Sequence, residues 1–193
     1  MSAARPYHHG NLRRAVLDQA AAVVHDRGAS ELSLREIAAT IGVTHAAPRR
    51  YFPGRQDLLE ALAVEGFARL GVRLREAIAA SPDYTEQLRS VARSYVEFTT
   101  TEANLVEVMF AHKHGAEGHS VADSATAAFS PIVQVFRLGQ AQSRLPHHDP
   151  ERIAVVFLAT LQGLAGLVNC GVVPAGHVDD VVADAVAQFP DGP

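Results

Sequence analysis

Apolar residues recur at helical spacing along most of the chain. Residues 11–27 carry Leu12, Val16, Leu17, Ala20, Val23 and Val24, a stripe repeating every three or four positions, and Gly28 follows it. That period places the apolar side chains on one face of a helix, and a glycine ends it in the left-handed conformation without Cβ strain. Residues 33–41 repeat the pattern on a shorter scale. Ser33 and Glu36 have capping-box spacing, in which hydroxyl and carboxylate each satisfy a free backbone N–H. Leu34, Ile37, Ala38 and Ile41 form the apolar face. Gly42 stops this helix, Val43 pins the turn, and Thr44 is a good cap for a second helix expected to run through Tyr51 and Phe52.

After a Pro53-Gly54 turn, Leu58, Leu59, Leu62, Phe67, Leu70 and Leu74 predict a long helix from Arg55 to about Ala80, broken at Ser81-Pro82-Asp83. Leu88, Val91, Ala92, Tyr95 and Phe98 give the next helix, residues 84–101, and Leu105, Val106, Met109 and Phe110 continue over 103–110. Residues 120–142 are helical with Phe129, Ile132, Val133 and Phe136 inward, and Pro131 is expected to kink or split them. Asp149 and Pro150 read as cap and first turn of another helix, and an amphipathic segment through Phe189 closes the chain. The pattern predicts an all-α protein. The large apolar residues at 95, 98, 109, 110, 129 and 136 suit either a core or the wall of a small-molecule pocket, since both use the same residue types.

Residues 153–178 contain no Asp, Glu, Lys or Arg. Such a length invites a membrane-spanning reading. Thr160, Gln162 and Asn169 interrupt the run, Gly171 and Pro174 end it early, and basic flanking clusters are missing, so no membrane is expected. A helix apolar all round is instead buried on several sides. Part of it is assigned to a subunit interface through Leu158, Leu161, Gln162 and Ala165, with Gly163, Ala165 and Gly166 allowing close approach of helices.

Composition supports this picture. Of 193 residues, 48% are hydrophobic and only 6% aromatic, which fits helices packed through Ala, Leu and Val. The lone Cys170 cannot close an internal disulfide and no signal peptide is visible, so a cytoplasmic protein is expected. Charge is divided unevenly. The first 55 residues hold eight arginines against four carboxylates, a net +4 in a chain whose formal charge is −4, so the remainder carries −8. A basic head on an acidic body focuses phosphate attraction on one end.

A helix, a glycine turn and a second helix bearing His45, Arg49, Arg50 and Tyr51 form the layout of a helix-turn-helix, whose second helix enters the DNA major groove. An ordinary helical hairpin with a solvated basic face has the same layout. His8 and His9, and the loop histidines His112, His114 and His119, raise metal sensing as an alternative, although no Cys or carboxylate pattern accompanies them and no metal site is assigned. No nucleophile–base pair or phosphate-cradling glycine loop points to an enzyme, and no cofactor is expected. An architectural DNA binder without a ligand is the further alternative.

The head also carries a family signature: Asp26-Arg27-Gly28, Leu32-Ser33-Leu34-Arg35-Glu36-Ile37-Ala38, Gly42-Val43-Thr44, Tyr51-Phe52, Arg55 and Leu58-Leu59. Residues 8–62 resemble the N-terminal domain of the tetracycline-repressor (TetR) family of bacterial transcription regulators. The resemblance implies a DNA-binding domain over residues 10–70 with three helices, and a ligand-binding and dimerisation domain over 71–193. It implies a homodimer on an inverted-repeat site in double-stranded DNA, a small-molecule effector, and a helix after Arg55 that links head to body. DNA contacts are expected from Ser33, Thr44, His45, Ala46, Ala47, Arg49, Arg50, Tyr51 and Arg55, and pocket walls from Tyr95, Phe98, Met109, Phe110, Phe129 and Phe136. The chain departs from the family in having Arg49 where a tyrosine is usual, Pro48 where an apolar residue is usual, and Tyr51 for a frequent histidine. Pro48 is tolerated only in a first turn, so the recognition helix is expected to start late, near Ala46 or Ala47. The segment ATLQGLAGLV also resembles the dimerisation helix of a TetR subgroup whose recognition helix opens His-Ala-Ala-Pro, as at residues 45–48; Gln162 stands where that subgroup commonly has histidine.

Overall fold

The computed structural model describes residues 9–111, 119–142 and 149–189, and every regular element among them is helical. The order is α1 (His9–Arg27), a 3-10 turn (Ala29–Glu31), α2 (Leu34–Thr40), a 3-10 turn (Pro48–Arg50), α3 (Arg55–Ala79), α4 (Tyr84–Thr101), α5 (Ala103–Ala111), α6 (His119–Ala141), α7 (Pro150–Asn169), a 3-10 turn (Ala175–His177) and α8 (Val178–Ala187). Two compact units divide it. One comprises the residues through Gly66 with Asn104–Val121, the other Phe67–Ala103 with the residues from Ala122 onward.

In the first unit, Val16, Ala20 and Val24 of α1 are fully buried, as are Leu58 and Ala63 of α3. Gly28 ends α1 at φ 83°, its N–H returning to the Val24 carbonyl at 2.9 Å. Helix α5 groups here too, a placement that the expected boundary near residue 70 did not include. The Asn104 amide donates to the His25 carbonyl at 3.0 Å, and Met109 is fully buried against Gly66, where a Cβ would lie 2.6 Å from the Met109 sulfur. A glycine in mid-helix costs about 1 kcal/mol against alanine, and here it makes the room in which a methionine lies.

In the second unit α4 packs against α7 and α8 and buries Leu88, Val91, Ala92, Tyr95 and Phe98. Gly71 of α3 lets Ala128 of α6 come close, with 3.1 Å from a Gly71 Cβ position to the Ala128 Cα. Helix α6 runs unbroken through Pro131, against expectation. Proline at 131 leaves the Ala127 carbonyl without its helical donor, and the Ser130 hydroxyl donates to that carbonyl instead, at 3.3 Å. Asp149 caps α7, its carboxylate accepting from the Glu151 N–H at 3.0 Å, with Pro150 in the first turn. Hydrogen bonding with the Glu151 side chain, and next with the Glu151 backbone N–H, holds the Asp149 carboxyl below its ordinary value.

Helix α7 is long and apolar enough to span a bilayer by length and composition. Its inner face, Ala154, Phe157, Leu161, Leu164 and Ala165, is buried in the second unit. Leu161 and Ala165 are therefore core residues of the single chain, a correction to their expected place at a subunit face. The helix turns about 100° per residue, and the outward face falls instead on Val155, Val156, Ala159, Gln162, Gly163, Gly166 and Leu167. Leu158 is half-buried at the edge.

Candidate functional site

Helix α2 begins at the expected Ser33 cap, and of the two expected capping-box bonds the hydroxyl one forms. The Ser33 hydroxyl accepts from the Glu36 N–H at 3.4 Å. The Glu36 carboxylate lies 4.0 Å from Arg27. The end of α2 is a two-bond glycine cap: Gly42 at φ 73° donates to Ala39, and Val43 to Ala38, at 3.2 and 2.9 Å. Ile37 and Ala38 anchor the helix in the core.

The next segment corrects the expectation. Residues 44–52 do not form an α-helix; they form a turn followed by the 3-10 turn Pro48–Arg50. Pro48 has no N–H, so the Thr44 carbonyl cannot receive the α-helical bond and accepts from Ala47 at 2.9 Å. The tighter pattern continues with Arg50 N–H to Ala47 O at 3.3 Å and Tyr51 N–H to Pro48 O at 3.0 Å. Pro48 and Phe52 are buried, and they pin the segment from both ends. Between them Arg49 and Arg50 point to solvent. Neither makes an ion pair with a described residue. His45 and Ala46 are exposed with Thr44, while Ala47 and Tyr51 are half-buried. The structure thus sets His45, Ala46, Arg49 and Arg50 on one short exposed stretch.

Two residues expected to meet phosphate have work inside the unit. Ser33 is half-buried and holds the α2 cap. Arg55 donates to the Ala29 carbonyl at 2.6 Å, tying the start of α3 to the first 3-10 turn, and a guanidinium keeps further N–H donors beyond that bond. Other head arginines are spoken for: Arg14 bridges Asp18 at 2.8 Å and Glu65 at 3.0 Å, which raises its pKa, and Arg13 lies 5.4 Å over the Phe52 ring. Arg35 was passed over in the sequence. It is exposed on α2 and makes no ion pair with a described residue, and its spacing does not distinguish it from the arginines that pair.

The expected pocket residues fall into four groups. Tyr95 and Phe129 lie 6.4 Å apart with Phe67 beside them, 6.0 Å from Phe129. Burial raises the Tyr95 phenol pKa above its ordinary value, and its hydroxyl donates to Gln162 Oε1 at 2.6 Å. Phe98 is buried below the guanidinium groups of Arg69 and Arg73, each 5.9 Å from its ring. Phe136 belongs to a separate cluster with Phe157 and Phe189, at 5.4 and 6.4 Å. Met109 and Phe110 are in the first unit. One pocket wall made of all six is therefore not what the structure builds; Tyr95 and Phe129 are the pair it brings together. Gln162 was expected to face a partner subunit; it is exposed and at the same time binds the buried Tyr95. Of the loop histidines, His112 and His114 lie outside the described residues, as does the His119 side chain. Among the described residues no three His, Cys, Asp or Glu side chains gather at one point.

Comparison with known proteins fits the head geometry. A family model for bacterial regulatory proteins of the tetR family matches residues 16–62. The HTH-type transcriptional repressor LfrR of Mycolicibacterium smegmatis is 31% identical over 155 residues, spanning 78% of this chain and 75% of that protein. A solved structure of a protein with unknown function from Rhodococcus sp. RHA1 superposes with a TM-score of 0.89 at 35% identity, covering 96% of this chain and 97% of that one. The TetR family transcriptional regulator PfmR of Thermus thermophilus shares the fold, with a TM-score of 0.68 at 16% identity over 90% of this chain and 96% of its own. A capped α2, a glycine turn, an exposed arginine pair and an all-helical second unit, taken with the LfrR relative matched over three quarters of its own length, place the chain in the TetR family of DNA-binding transcriptional regulators.

Proposed function

We propose that the protein is a repressor that binds an inverted-repeat operator as a homodimer and is released by a small-molecule effector. The observation that carries the reading is the exposed pair Arg49 and Arg50, without carboxylate partners among the described residues and set between the buried anchors Pro48 and Phe52. Arginine forks onto guanine O6 and N7, so this pair reads bases, with His45 and Tyr51 beside it and Ala46 and Ala47 against the groove wall. Thr44, Ser33 and Arg55 hold phosphates and register. The repressor activity named for LfrR supports the direction of regulation.

Homodimerisation is supported by the outward face of α7. Val155, Val156 and Leu167 are 65%, 51% and 46% exposed, an apolar stripe interrupted by small residues at Ala159, Gly163 and Gly166. Two-fold symmetry would set two recognition segments about 34 Å apart, one helical turn of DNA. The His45-Ala46-Ala47-Pro48 opening is the basis for placing the chain in the subgroup that shares it. The effector binds in the second unit beside Tyr95 and Phe129 and shifts the population away from the DNA-competent head spacing. Acting on chromosomal DNA, such a repressor works in the cytoplasm.

Selection of random duplex DNA on the purified protein at stated salt tests the reading, with Arg49→Ala and Arg50→Ala in parallel. An inverted repeat is expected, and each substitution should cost about 1–3 kcal/mol of discrimination at its base position. Recovery of no motif, with binding only at low salt, would sink it.

A further inference from the structure

Helix α7 ends in a capped apolar knob. Gly171 sits at φ 76°, its N–H returns to the Val168 carbonyl at 3.0 Å, and the Val172 N–H returns to the Leu167 carbonyl at 2.9 Å. Such a two-bond cap fixes the residue after the glycine beside the last turn of the helix. That residue is Val172, and 67% of it is exposed, with Leu167 at 46%. At the other end of α7 lies a groove of about 420 Å³, lined by Asp149, Arg152, Ile153, Val156 and Phe189. At 100° per residue, Arg152, Val156, Ala159, Gly163 and Leu167 fall within about 40° of one line along the helix. Groove and knob therefore terminate one stripe. Val155, Val156, Leu167 and Val172 are four of the six large apolar side chains that stand exposed among the described residues, so this face holds most of what a partner would cover.

The two ends lie at matching distances from Gly163. A helix rises 1.5 Å per residue, so Val156 and Ile153 are about 10 and 15 Å to one side. Cys170 is about 10 Å to the other side, and Val172 follows just beyond it. A two-fold axis beside Gly163 that sets two copies of α7 antiparallel, at a shallow crossing of about 20°, brings the end of each over the start of the other. Leu167 then faces the small Ala159 of the second copy. We propose that Val172 of a second copy of the chain occupies the groove, so that one α7 face makes two identical knob-in-groove contacts. Ile153, Val156 and Phe189 form the socket, and Asp149 and Arg152 its polar rim. The proposal rests on the homodimer reading and adds its register and direction. A second copy fits better than an unrelated partner, because each chain supplies one knob and one socket and a closed, isologous pair fills both.

Disulfide trapping tests it, in a Cys170→Ser background that removes the lone exposed thiol. A disulfide needs its two Cα atoms within about 7 Å. Arg152→Cys and Val172→Cys, both at exposed positions, are purified separately, mixed and mildly oxidised. The mixture is expected to yield a covalent dimer holding one chain of each kind. Neither variant alone should yield one, because like positions stand more than about 20 Å apart across the axis. Val172→Ser should raise the dimer dissociation constant by at least about tenfold, since two buried valine contacts are lost. The same change should leave denaturant unfolding unaltered at concentrations where the chain is monomeric. A dimer of the unchanged chain by sedimentation, with no trapped pair in the mixture, overturns the socket and leaves the homodimer standing. Self-trapping of Arg152→Cys, or a disulfide between copies through the native Cys170, sets like ends together and overturns it too. A monomer at every concentration refutes the homodimer itself, and the socket with it.

Discussion

Gly163 offers the sharpest test of how two copies meet. It lies in the middle of α7, faces outward, and a Cβ built on it has nothing within 4 Å in the single chain. Within one chain Gly163→Ala therefore has only the helix-propensity term, and it should stabilise folding by about 1 kcal/mol. In a dimer packed through the α7 stripe the new methyl meets its counterpart. Overpacking a close contact costs roughly 1–3 kcal/mol per site, and symmetry applies it twice. The dissociation constant should then rise by at least about tenfold, since each 1.4 kcal/mol is a factor of ten. Sedimentation equilibrium over a dilution series measures the second effect, and denaturant unfolding at concentrations where the protein is monomeric measures the first. Opposite signs from one substitution are the signature. A variant more stable to denaturant, with its dimer constant unchanged, would refute the idea that Gly163 faces a partner. Leu161→Ala is the internal control. Its side chain is fully buried in the single chain, so it should cost about 2–5 kcal/mol of folding stability at any concentration.

Other substitutions probe the local devices. Pro48→Ala returns an N–H to the recognition segment, and backbone chemical shifts over residues 45–51 should move toward α-helical values; unchanged shifts would show that Pro48 is not what holds the 3-10 form. Ser130→Ala should cost no more than about 0.5 kcal/mol, because the Ala127 carbonyl is exposed and water can replace the hydroxyl, and the same change should be neutral in a Pro131→Ala background, where a backbone N–H returns to that carbonyl. The Asp149 cap makes a pH prediction. Its carboxyl is held below the ordinary value near 3.9, so its contribution is present above that value and fades as pH falls through the lower folded value. Denaturation midpoints followed downward from pH 6 should lose that component in Asp149→Asn, and an identical profile for the variant would rule the cap out as its source.

Features decided within a few residues were legible in the sequence. The Ser33 cap, the Gly28 and Gly42 stops and the Asp149-Pro150 start depend on groups three or four positions apart, and each sits where its spacing requires. The segment 44–52 was half legible: Pro48 signalled a delayed helix, but the loss of one N–H left a turn and the short 3-10 turn Pro48–Arg50, closed by an α-type bond from the Phe52 N–H to the Pro48 carbonyl. Pro131 misled in the opposite direction, because the remedy was the adjacent Ser130 hydroxyl, a residue type that reads as neutral in a helix. Pairings between distant segments left no local mark. Nothing in residues 103–111 indicates that Met109 lies against Gly66 rather than among the aromatic residues of the body, and nothing in the composition of α7 says which of its apolar faces turns inward.

That last ambiguity gives two hydrogen bonds a significance beyond their strength. A helix apolar all round can roll about its own axis at small hydrophobic cost, exchanging Val155 for Leu161 between inside and outside. Helix α7 carries two amides seven residues apart, hence on one side of the cylinder: Gln162, which accepts from the buried Tyr95 hydroxyl at 2.6 Å, and Asn169, which donates to the Thr99 carbonyl at 3.4 Å. A rolled helix would strand the Tyr95 hydroxyl in apolar surroundings, at about 1–3 kcal/mol. These amides act as detents: they select one rotation of a shaft whose surface would otherwise accept several, and so determine which stripe of the protein faces the outside world.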